Sequence, residues 1–196
     1  MKQILFCCFV FFSLKSLAAG FEREIDQKLY DASFQGNIKE IQTLLSKGAN
    51  PNAQSAVGGM TPLMGAASGA TDIEVLKILV EGGADIHKKD ENGQSVINSI
   101  GPGGLGFVKY FIGLGADPNS QGVMANGQNK GLKMMSPLHF AVAEGNDEMV
   151  SFLLKAKANP NLTMGKSNLK PIDLAKKRAL GKIVKTLEDA AASRSP

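Results

Sequence analysis

The chain has 196 residues, a formal net charge of +4, two cysteines and no tryptophan. A chain of this length can bury enough apolar surface to fold as one domain without disulfide bonds. Both cysteines, Cys7 and Cys8, lie within the first eighteen residues, so the rest of the sequence excludes a thiol nucleophile, a cysteine metal site and a disulfide.

The first eighteen residues have the pattern of a secretory signal peptide. A short basic start, MKQ, precedes an apolar run over residues 4–14, and Ser16 and Ala18 stand at the −3 and −1 positions of a cleavage site. The apolar run is too short to cross a bilayer, which disfavours a membrane anchor. We expect cleavage near Ala18–Ala19 and a mature protein that is periplasmic or secreted, with a folded domain over residues 19–190 and a flexible tail over residues 191–196.

A short element recurs four times after this segment. Its copies read GANPN, GADIH, GADPN and KANPN, begin at Gly48, Gly83, Gly115 and Lys157, and are spaced 35, 32 and 42 residues apart. A second element lies upstream of three of them and after the last, at Thr61-Pro62-Leu63, Ser95-Val96-Ile97 (a weaker copy), Ser136-Pro137-Leu138-His139 and Lys170-Pro171-Ile172. Two elements that recur in phase indicate one repeated structural unit.

Each unit has the pattern of two short helices. Thr or Ser before Pro favours a helix start, because the hydroxyl caps free N–H groups and Pro suits the first helical position. In the unit that begins at Ser136, apolar residues at 138, 141 and 142 form one helix face, and Gly145 ends that helix. The second helix has its own apolar face, formed by Met149, Val150, Leu153 and Leu154. Neither helix can bury its face alone, so neighbouring units must stack.

The unit resembles the ankyrin repeat, which has a period near 33 residues and a first helix that opens with Thr-Pro-Leu-His. The resemblance covers residues 27–188. It implies an all-α ankyrin-repeat solenoid of about five helix-turn-helix units with short β-hairpin fingers. It also implies a non-catalytic module that binds another protein, and we expect a monomer when the chain is free.

The five units differ in regularity. The first, residues 27–50, lacks Thr-Pro and is expected to be an N-terminal cap, and the last, residues 170–188, closes the stack. In the third unit the string IGPGGLG at 100–106 is predicted to end the first helix after about one turn, because Gly and Pro are poor helix residues. We interpret residues 101–106 as a widened loop between helices, since the Lys-Ser/Thr of a phosphate-binding P-loop is missing from this string.

The sequence contains no arrangement of side chains that indicates catalysis, a cofactor or a metal. His139 belongs to the repeat motif and is expected to hydrogen-bond within its own turn, whereas His87 lies in a variable loop. Methionines at 60, 64, 124, 134, 135 and 164 are spread over the connections between units, which disfavours a Cu(I) site, and only Met149 is predicted to lie in the core. We therefore expect no enzymatic activity and no cofactor.

Partners of ankyrin-repeat proteins usually dock on the concave side, against the fingers between units and the exposed side of the first helices. Carried over to this chain, the resemblance implies partner-binding side chains at Phe34, Val57, Met60, Ser68, Asn92, Gln94, Leu132, Lys133, Met135, Glu144 and Leu169. We add Met124 and Asn126, which lie in the long connection described next. Several of these are apolar at positions that the fold leaves exposed, and exposed apolar patches indicate binding. The alternative is that the fingers pack on one another.

The connection from Asn119 to Met135 is the largest departure from the repeat. It is eight or nine residues longer than a regular unit needs. Asn126-Gly127 is a strong signal for a two-residue turn, so we expect an extended finger with its tip there. A long insertion on the binding side of a repeat protein is often functional. The alternative is a tolerated loop, since each doubling of loop length costs only about 0.6 kcal/mol.

Basic side chains are concentrated at the C-terminal end of the chain. Residues 165–196 contain Lys166, Lys170, Lys176, Lys177, Arg178, Lys182, Lys185 and Arg194 against Asp173, Glu188 and Asp189. We interpret this cluster as the solvated face of a capping unit, and the alternative is a surface for an acidic partner or an anionic lipid. A nucleic-acid partner is not expected, because the cluster is small and no aromatic residues interleave it. Stable membrane insertion is not expected after signal cleavage.

The function predicted from the sequence is non-catalytic binding of another protein in the periplasm or outside the cell. Exported bacterial ankyrin proteins that resemble this chain include immunity proteins, which neutralise secreted effectors. They also include periplasmic proteins that protect against peroxide. The first kind is the leading hypothesis, and a periplasmic scaffold that protects against oxidative stress is the alternative. The same scaffold hosts unrelated partners, so the sequence does not identify the partner.

Overall fold

The structure is a computed structural model that describes residues 23–69, 72–101 and 104–192. The predicted signal peptide at residues 1–18 lies outside the described residues, as do residues 193–196 of the predicted tail. Nine α-helices occur in the described ranges, in the order α1 Glu24–Gln35, α2 Ile38–Ser46, α3 Pro62–Ser68, α4 Ile73–Glu81, α5 Leu105–Gly113, α6 Pro137–Glu144, α7 Asp147–Lys155, α8 Pro171–Lys177 and α9 Gly181–Ala192. A 3₁₀ turn, Val96–Asn98, lies between α4 and α5. The predicted all-α repeat solenoid is confirmed.

The helices begin where the capping residues of the repeat stand. Thr61 Oγ1 accepts a hydrogen bond from the N–H of Met64 at 3.3 Å at the start of α3, and Ser136 Oγ accepts one from the N–H of His139 at 3.4 Å at the start of α6. Proline follows each of these caps, as expected at a first helical position. The second helices are capped in the same way by Asn37, Asp72 and Asn146.

The apolar faces of the helices form one continuous core along the stack. Helix α1 packs against α2 and α3, α3 packs against α4, and α6 packs against α7 and α8. Leu138 and Leu153, which the periodicity places on the inner faces of α6 and α7, are almost completely buried. Each fully buried leucine contributes roughly 1.5–3 kcal/mol relative to an exposed one, so stacking of the units supplies most of the stability.

Two glycines let the first and second units approach closely. A Cβ atom on Gly65 would lie 3.0 Å from the ring of Tyr30, and a Cβ atom on Gly69 would lie 2.4 Å from the carbonyl oxygen of Phe34. Neither position tolerates a larger side chain without movement of α1 or α3. The contact between these helices therefore depends on the missing side chains.

The recurring GANPN-type loops are joined from one unit to the next. Asn52 donates through Nδ2 to the carbonyl of Gly83 at 2.8 Å, and its Oδ1 accepts from the N–H of Asp85 at 2.7 Å. Asn119 Oδ1 accepts from the N–H of Asn159 at 2.6 Å in the corresponding place between later units. The last asparagine of this element recurs because its side chain bonds to the same loop of the next unit.

The third unit lacks a regular first helix, as predicted. The segment Val96–Asn98 forms a single 3₁₀ turn, and α5 begins at Leu105. Leu105 and Gly106 therefore belong to a helix, and the predicted loop over residues 101–106 is too long at its C-terminal end. Asn98 stabilises the short turn, because its Nδ2 donates to the carbonyl of Ser120 at 2.9 Å and its Oδ1 accepts from the N–H of Ser95 at 3.2 Å.

The prediction that only Met149 is a core methionine is wrong, because Met64 is buried as well. Its side chain is 1% exposed inside α3. Met64 occupies the position that His139 occupies in the fourth unit, and this position faces the interior of the stack. The sequence prediction grouped Met64 with the connections because it lies close to the end of one.

The last unit closes the stack, and α9 continues two residues into the predicted tail, to Ala192. Lys176 pairs with Glu188 at 3.3 Å, and Lys182 pairs with Asp147 at 2.8 Å. More than half of each lysine side chain remains exposed in these pairs. Such exposed pairs contribute about 0–1 kcal/mol each.

Candidate partner-binding surface

Four connections between units form a row of fingers, which we define as the first finger (residues 54–60), the second finger (89–94), the third finger (121–134) and the fourth finger (163–169). The first and second fingers are hydrogen-bonded to each other. The N–H of Glu91 donates to the carbonyl of Gly58 at 3.1 Å, and the amide of Gln54 donates to the carbonyl of Lys89 at 2.8 Å. These bonds fix the relative position of the two fingers.

Asn92 connects the second and third fingers. Its carbonyl oxygen accepts from the N–H of Val123 at 2.7 Å, and its side-chain Oδ1 accepts from the N–H of Ala125 at 3.0 Å. Gly122 allows this approach, because a Cβ atom there would lie 2.6 Å from the carbonyl oxygen of Asn92 and 2.4 Å from Cγ of Gln94. Asn92, which the sequence marked as partner-binding, therefore also holds the third finger in place, and Gln94, marked in the same way, lies against Gly122.

The third and fourth fingers are joined through Gln121 and Lys133. Gln121 Nε2 donates to the carbonyls of Met134 and Thr163, both at 2.8 Å. The N–H of Gly165 donates to the carbonyl of Lys133 at 2.9 Å. Neighbouring fingers thus pack on one another, as the alternative interpretation of the sequence held, and the packing produces one connected surface.

The third finger is an extended hairpin, with its tip at the predicted place but wider than predicted. Val123 and Lys133 form an antiparallel bridge, the N–H of Met124 donates to the carbonyl of Leu132 at 2.9 Å, and the N–H of Gly131 donates back to Met124 at 2.8 Å. The loop closed by these bonds covers residues 125–130. The prediction of a two-residue Asn126-Gly127 turn is therefore wrong, because the last ladder bond closes at Met124 and Gly131 and leaves both residues within a longer loop.

His139 links the fourth unit to the fourth finger. Its Nδ1 accepts from the backbone N–H of Ser136 at 3.3 Å within the same turn, as the sequence predicted for this motif residue. Its Nε2 donates to the carbonyl of Leu169 at 3.0 Å. Burial lowers the pKa of His139, and the Leu169 bond partly opposes this shift. This histidine is buried beneath the fourth finger and holds it through the Leu169 carbonyl, so its ring is not exposed to a partner.

The predicted binding residues fall into two groups by exposure. The exposed group is Val57, Ser68, Asn126, Lys133 and Glu144, and the half-buried group is Phe34, Met60, Asn92, Gln94, Met124, Leu132, Met135 and Leu169. Phe34, Ser68 and Glu144 lie on first helices, and the others lie on the fingers or directly beside them. Val57 is 65% exposed, the largest exposure of a large apolar side chain in the described residues.

An open cleft of about 480 Å³ between the second and third fingers was not predicted. Its lining residues are Lys89, Glu91, Asn92, Gly93, Gln121, Val123, Met124, Ala125, Lys130 and Gly131. Val123 is 45% exposed. Lys89, Val123 and Lys130 had no motif that marked them, because the repeat pattern says nothing about which connections lie against each other.

Charged side chains on the helices form ion pairs, whereas the lysines of the fingers form none within the described residues. The ion pairs of the described residues involve helical side chains or the residue just before α1, such as Lys77 with Glu74 at 3.3 Å and Lys109 with Glu148 at 2.9 Å. In the same part of the chain no ion pair includes Lys89, Lys130, Lys133 or Lys166 of the fingers. The fingers thus present basic groups that have no acidic partner within the described chain.

Within residues 23–69, 72–101 and 104–192, no group of three or more His, Cys, Asp or Glu side chains is arranged to hold a metal ion. Over those same ranges, every helix is too short or too polar to cross a bilayer.

Comparison with known families agrees with the repeat architecture. A family model described as ankyrin repeats, in three copies, matches residues 29–122, and a model of a single ankyrin repeat matches residues 134–164. The two matched segments include the C-terminal part of α1, helices α2 to α7 and the first two fingers, and residues 123–133 of the third finger lie between them. Helices α8 and α9 follow the matched segments as a fifth pair.

Several curated proteins share the repeat region. The chain is 29% identical over 163 residues to a mitochondrial disaggregase of Bos taurus, covering 83% of this chain and 23% of that protein. It is 35% identical over 79 residues to a 2-5A-dependent ribonuclease of Mus musculus, covering 39% of this chain and 11% of the ribonuclease. It is 27% identical over 135 residues to alpha-latrocrustotoxin-Lt1a of Latrodectus tredecimguttatus, covering 69% of this chain and 9% of the toxin. The chain spans less than a quarter of the length of each of these relatives.

Proposed function

Because the chain belongs to the ankyrin-repeat family, we propose that it is a non-catalytic module that binds another protein across its row of fingers. Ankyrin repeats indicate protein–protein interaction. The specific partner, the binding surface and the cellular role are parts of the proposal.

The observation that supports this surface is the continuity of the finger row. Hydrogen bonds through Gly58, Asn92 and Lys133 connect the four fingers, so a partner meets one preorganised surface. Preorganisation favours binding because little further ordering is required when the partner docks. The surface presents exposed Val57 and Val123 together with basic side chains, which is a combination typical of interfaces with an apolar centre and a polar rim.

The third finger is the element that we assign to recognition. Its base is anchored on both sides, whereas its tip, residues 125–130, is almost entirely exposed. A rigid base with an exposed tip fits a segment that contacts a partner, because the base limits the conformations of the tip.

We further propose that the mature chain begins near Ala19 and acts in the periplasm or outside the cell as an immunity protein that neutralises a secreted effector. The signal-like pattern of residues 1–18 supports export. A module that acts by occupying the surface of its partner suits neutralisation. A periplasmic scaffold that protects against oxidative stress is the alternative, and the identity of the partner separates the two.

Two measurements test this proposal. Intact-mass analysis of the exported protein is expected to give a chain that begins near Ala19, and a mass that retains residues 1–18 would contradict export by cleavage. Affinity purification of the exported chain, followed by mass spectrometry, is expected to recover a secreted toxic enzyme. Recovery of a catalase or another antioxidant protein would instead support the scaffold, and a complex that survives removal of the third-finger tip would contradict the assigned surface.

A further inference from the structure

The cleft between the second and third fingers combines basic and apolar groups. Lys89 lines it from the second finger, and Lys130 lines it from the tip of the third finger. Val123, which is 45% exposed, and half-buried Met124 also line it. A ligand that fills this cleft therefore meets one lysine from each finger, together with the aliphatic side chains of Val123 and Met124.

The two lysines are available to a ligand. Both side chains are exposed, and the ion pairs of the described residues include neither of them. Glu91 is the acidic residue that lines the same cleft. Its Cγ lies beside Gly59 of the first finger, where a Cβ atom on Gly59 would approach it to 3.3 Å. Glu91 thus lies on the side of the cleft that faces the first finger.

We infer that this cleft binds an extended acidic segment of the partner protein, with carboxylates at Lys89 and Lys130 and an aliphatic side chain against Val123 and Met124. The inference rests on the proposed function and narrows the class of partner. Two exposed cations that form no ion pair within the described residues complement a segment rich in Asp or Glu. An extended segment fits because alternate side chains of such a chain point in opposite directions, so an aliphatic side chain faces Val123 and Met124 while the carboxylates beside it in the sequence face the exposed lysines.

A nucleic acid fits this lining less well than an acidic peptide does. Single-stranded nucleic acids stack their bases on aromatic side chains, and the residues that line the cleft include no aromatic ring. The exposed aliphatic surface of Val123 has a natural counterpart in a peptide side chain.

The test is a binding titration of the mature chain with a fluorescein-labelled decapeptide in which Glu alternates with Leu. Peptides of the same length with Gln or Lys in place of Glu, and a labelled single-stranded oligonucleotide, serve as comparison ligands. We expect the acidic peptide to bind more tightly than all three, with an affinity that weakens as the ionic strength rises from about 0.05 M to about 0.3 M, because salt screens exposed charges. Equal binding of the Gln peptide, or tighter binding of the oligonucleotide, would overturn the inference.

Charge variants locate the site. Lys89→Gln and Lys130→Gln are each expected to weaken acidic-peptide binding by about two- to fivefold, because each removes one solvent-exposed ion pair with the peptide and such pairs are weak. The double variant with Lys89→Glu and Lys130→Glu is expected to weaken it by at least about tenfold, because like charges then face the peptide. The matched control carries Lys39→Glu and Lys155→Glu, which change the net charge equally at exposed positions on α2 and α7. An equal loss in the control would show that net charge alone attracts the peptide and would overturn the assigned site.

The same variants separate this inference from the proposed function. If the natural partner depends on the third-finger tip but binds the Lys89/Lys130 charge-reversal variant as tightly as the parent, the protein-binding function stands and the acidic-segment inference is wrong. If the partner binds both finger variants as tightly as the parent, the finger row itself is not the interface and both proposals are wrong. Circular dichroism of each variant verifies that the helices are intact.

Discussion

His139 Nε2 lies 3.0 Å from the carbonyl oxygen of Leu169, and this bond ties the first helix of the fourth unit to the finger of the next unit. The ring is buried, and its Nδ1 accepts from the N–H of Ser136. Neutral histidine with the proton on Nε2 satisfies both contacts. A second proton on Nδ1 would face the Ser136 N–H donor and would remove this bond.

The stability of the chain is expected to fall as the pH drops below about 6.5, because burial lowers the pKa of His139 in the folded state. The unfolded chain then binds a proton at this histidine more readily than the folded chain does. The stability that neutral His139 contributes is therefore fully present above pH 6.5 and is lost as the pH falls toward the lower pKa of the folded state. Urea unfolding at about pH 7.5 and about pH 5 measures it. His139→Asn should reduce the difference between the two pH values, whereas His87→Asn, at an exposed loop position, leaves the His139 contacts intact. An equal pH dependence in the parent and in His139→Asn would contradict this assignment.

Gly69→Ala is expected to destabilise the contact between α1 and α3. The added methyl group would lie 2.4 Å from the carbonyl oxygen of Phe34, and backbone atoms must move to relieve this overlap. Overpacking of this kind costs about 1–3 kcal/mol. Gly106→Ala is the matched control, because nothing lies within 4 Å of that Cβ in α5, and it should stabilise the chain by up to about 1 kcal/mol through helix propensity. Thermal unfolding of both variants checks the opposite signs, and a stable Gly69→Ala variant would show that the two helices adapt easily.

Asn98→Ala is expected to weaken the third unit by about 1–3 kcal/mol, because the Ser120 carbonyl and the Ser95 N–H lose their partner in a buried place. Hydrogen exchange of the amides in α5 and in the second finger measures the local effect. Asn129→Ala, at the exposed tip of the third finger, is the control and should leave exchange in these segments unchanged. If Asn98→Ala exchanges like the parent, the 3₁₀ turn is held mainly by its apolar contacts.

Replacing residues 125–130 with Asn-Gly should leave the fold intact, with a free energy of unfolding within about 1 kcal/mol of the parent, since a shorter loop costs little entropy to close. The same change should weaken binding of the natural partner by at least about tenfold if the tip contains anchor residues. A variant with six Gly and Ser residues at 125–130 keeps the loop length and tests the side chains alone. Isothermal titration with the co-purified partner gives both affinities, and parental affinity in both variants would exclude the tip from the interface.

The boundaries of this replacement follow from the base of the finger. Residues 122–124 and 132–134 are hydrogen-bonded within the hairpin, and Val123 and Lys133 also bond to the neighbouring fingers. Removal of these residues would disturb the second and fourth fingers as well. The length of the insertion was visible in the sequence, but its division into an anchored base and an exposed tip was not.

The repeat number, the helix pairs and the loss of the third unit's first helix were determined by the sequence alone. These features depend on short-range physics, because Thr61 and Ser136 cap the helices they precede and Gly and Pro end a helix wherever they stand. The hydrogen bond of His139 within its own turn is of the same kind. Such contacts join residues a few positions apart, so a pattern within one unit is sufficient to predict them.

The relations between units were decided only by the tertiary structure. Three features depend on how far each unit is rotated and shifted against the next. They are the cleft that Lys89 and Lys130 both line, the hydrogen bond from His139 to Leu169 and the burial of Met64. That offset is set by the summed packing of many side chains, including the close approach that Gly69 permits, and no local pattern encodes it. The sequence therefore determined that the chain is a stack with fingers, and the packing of the stack determined which finger residues share a surface.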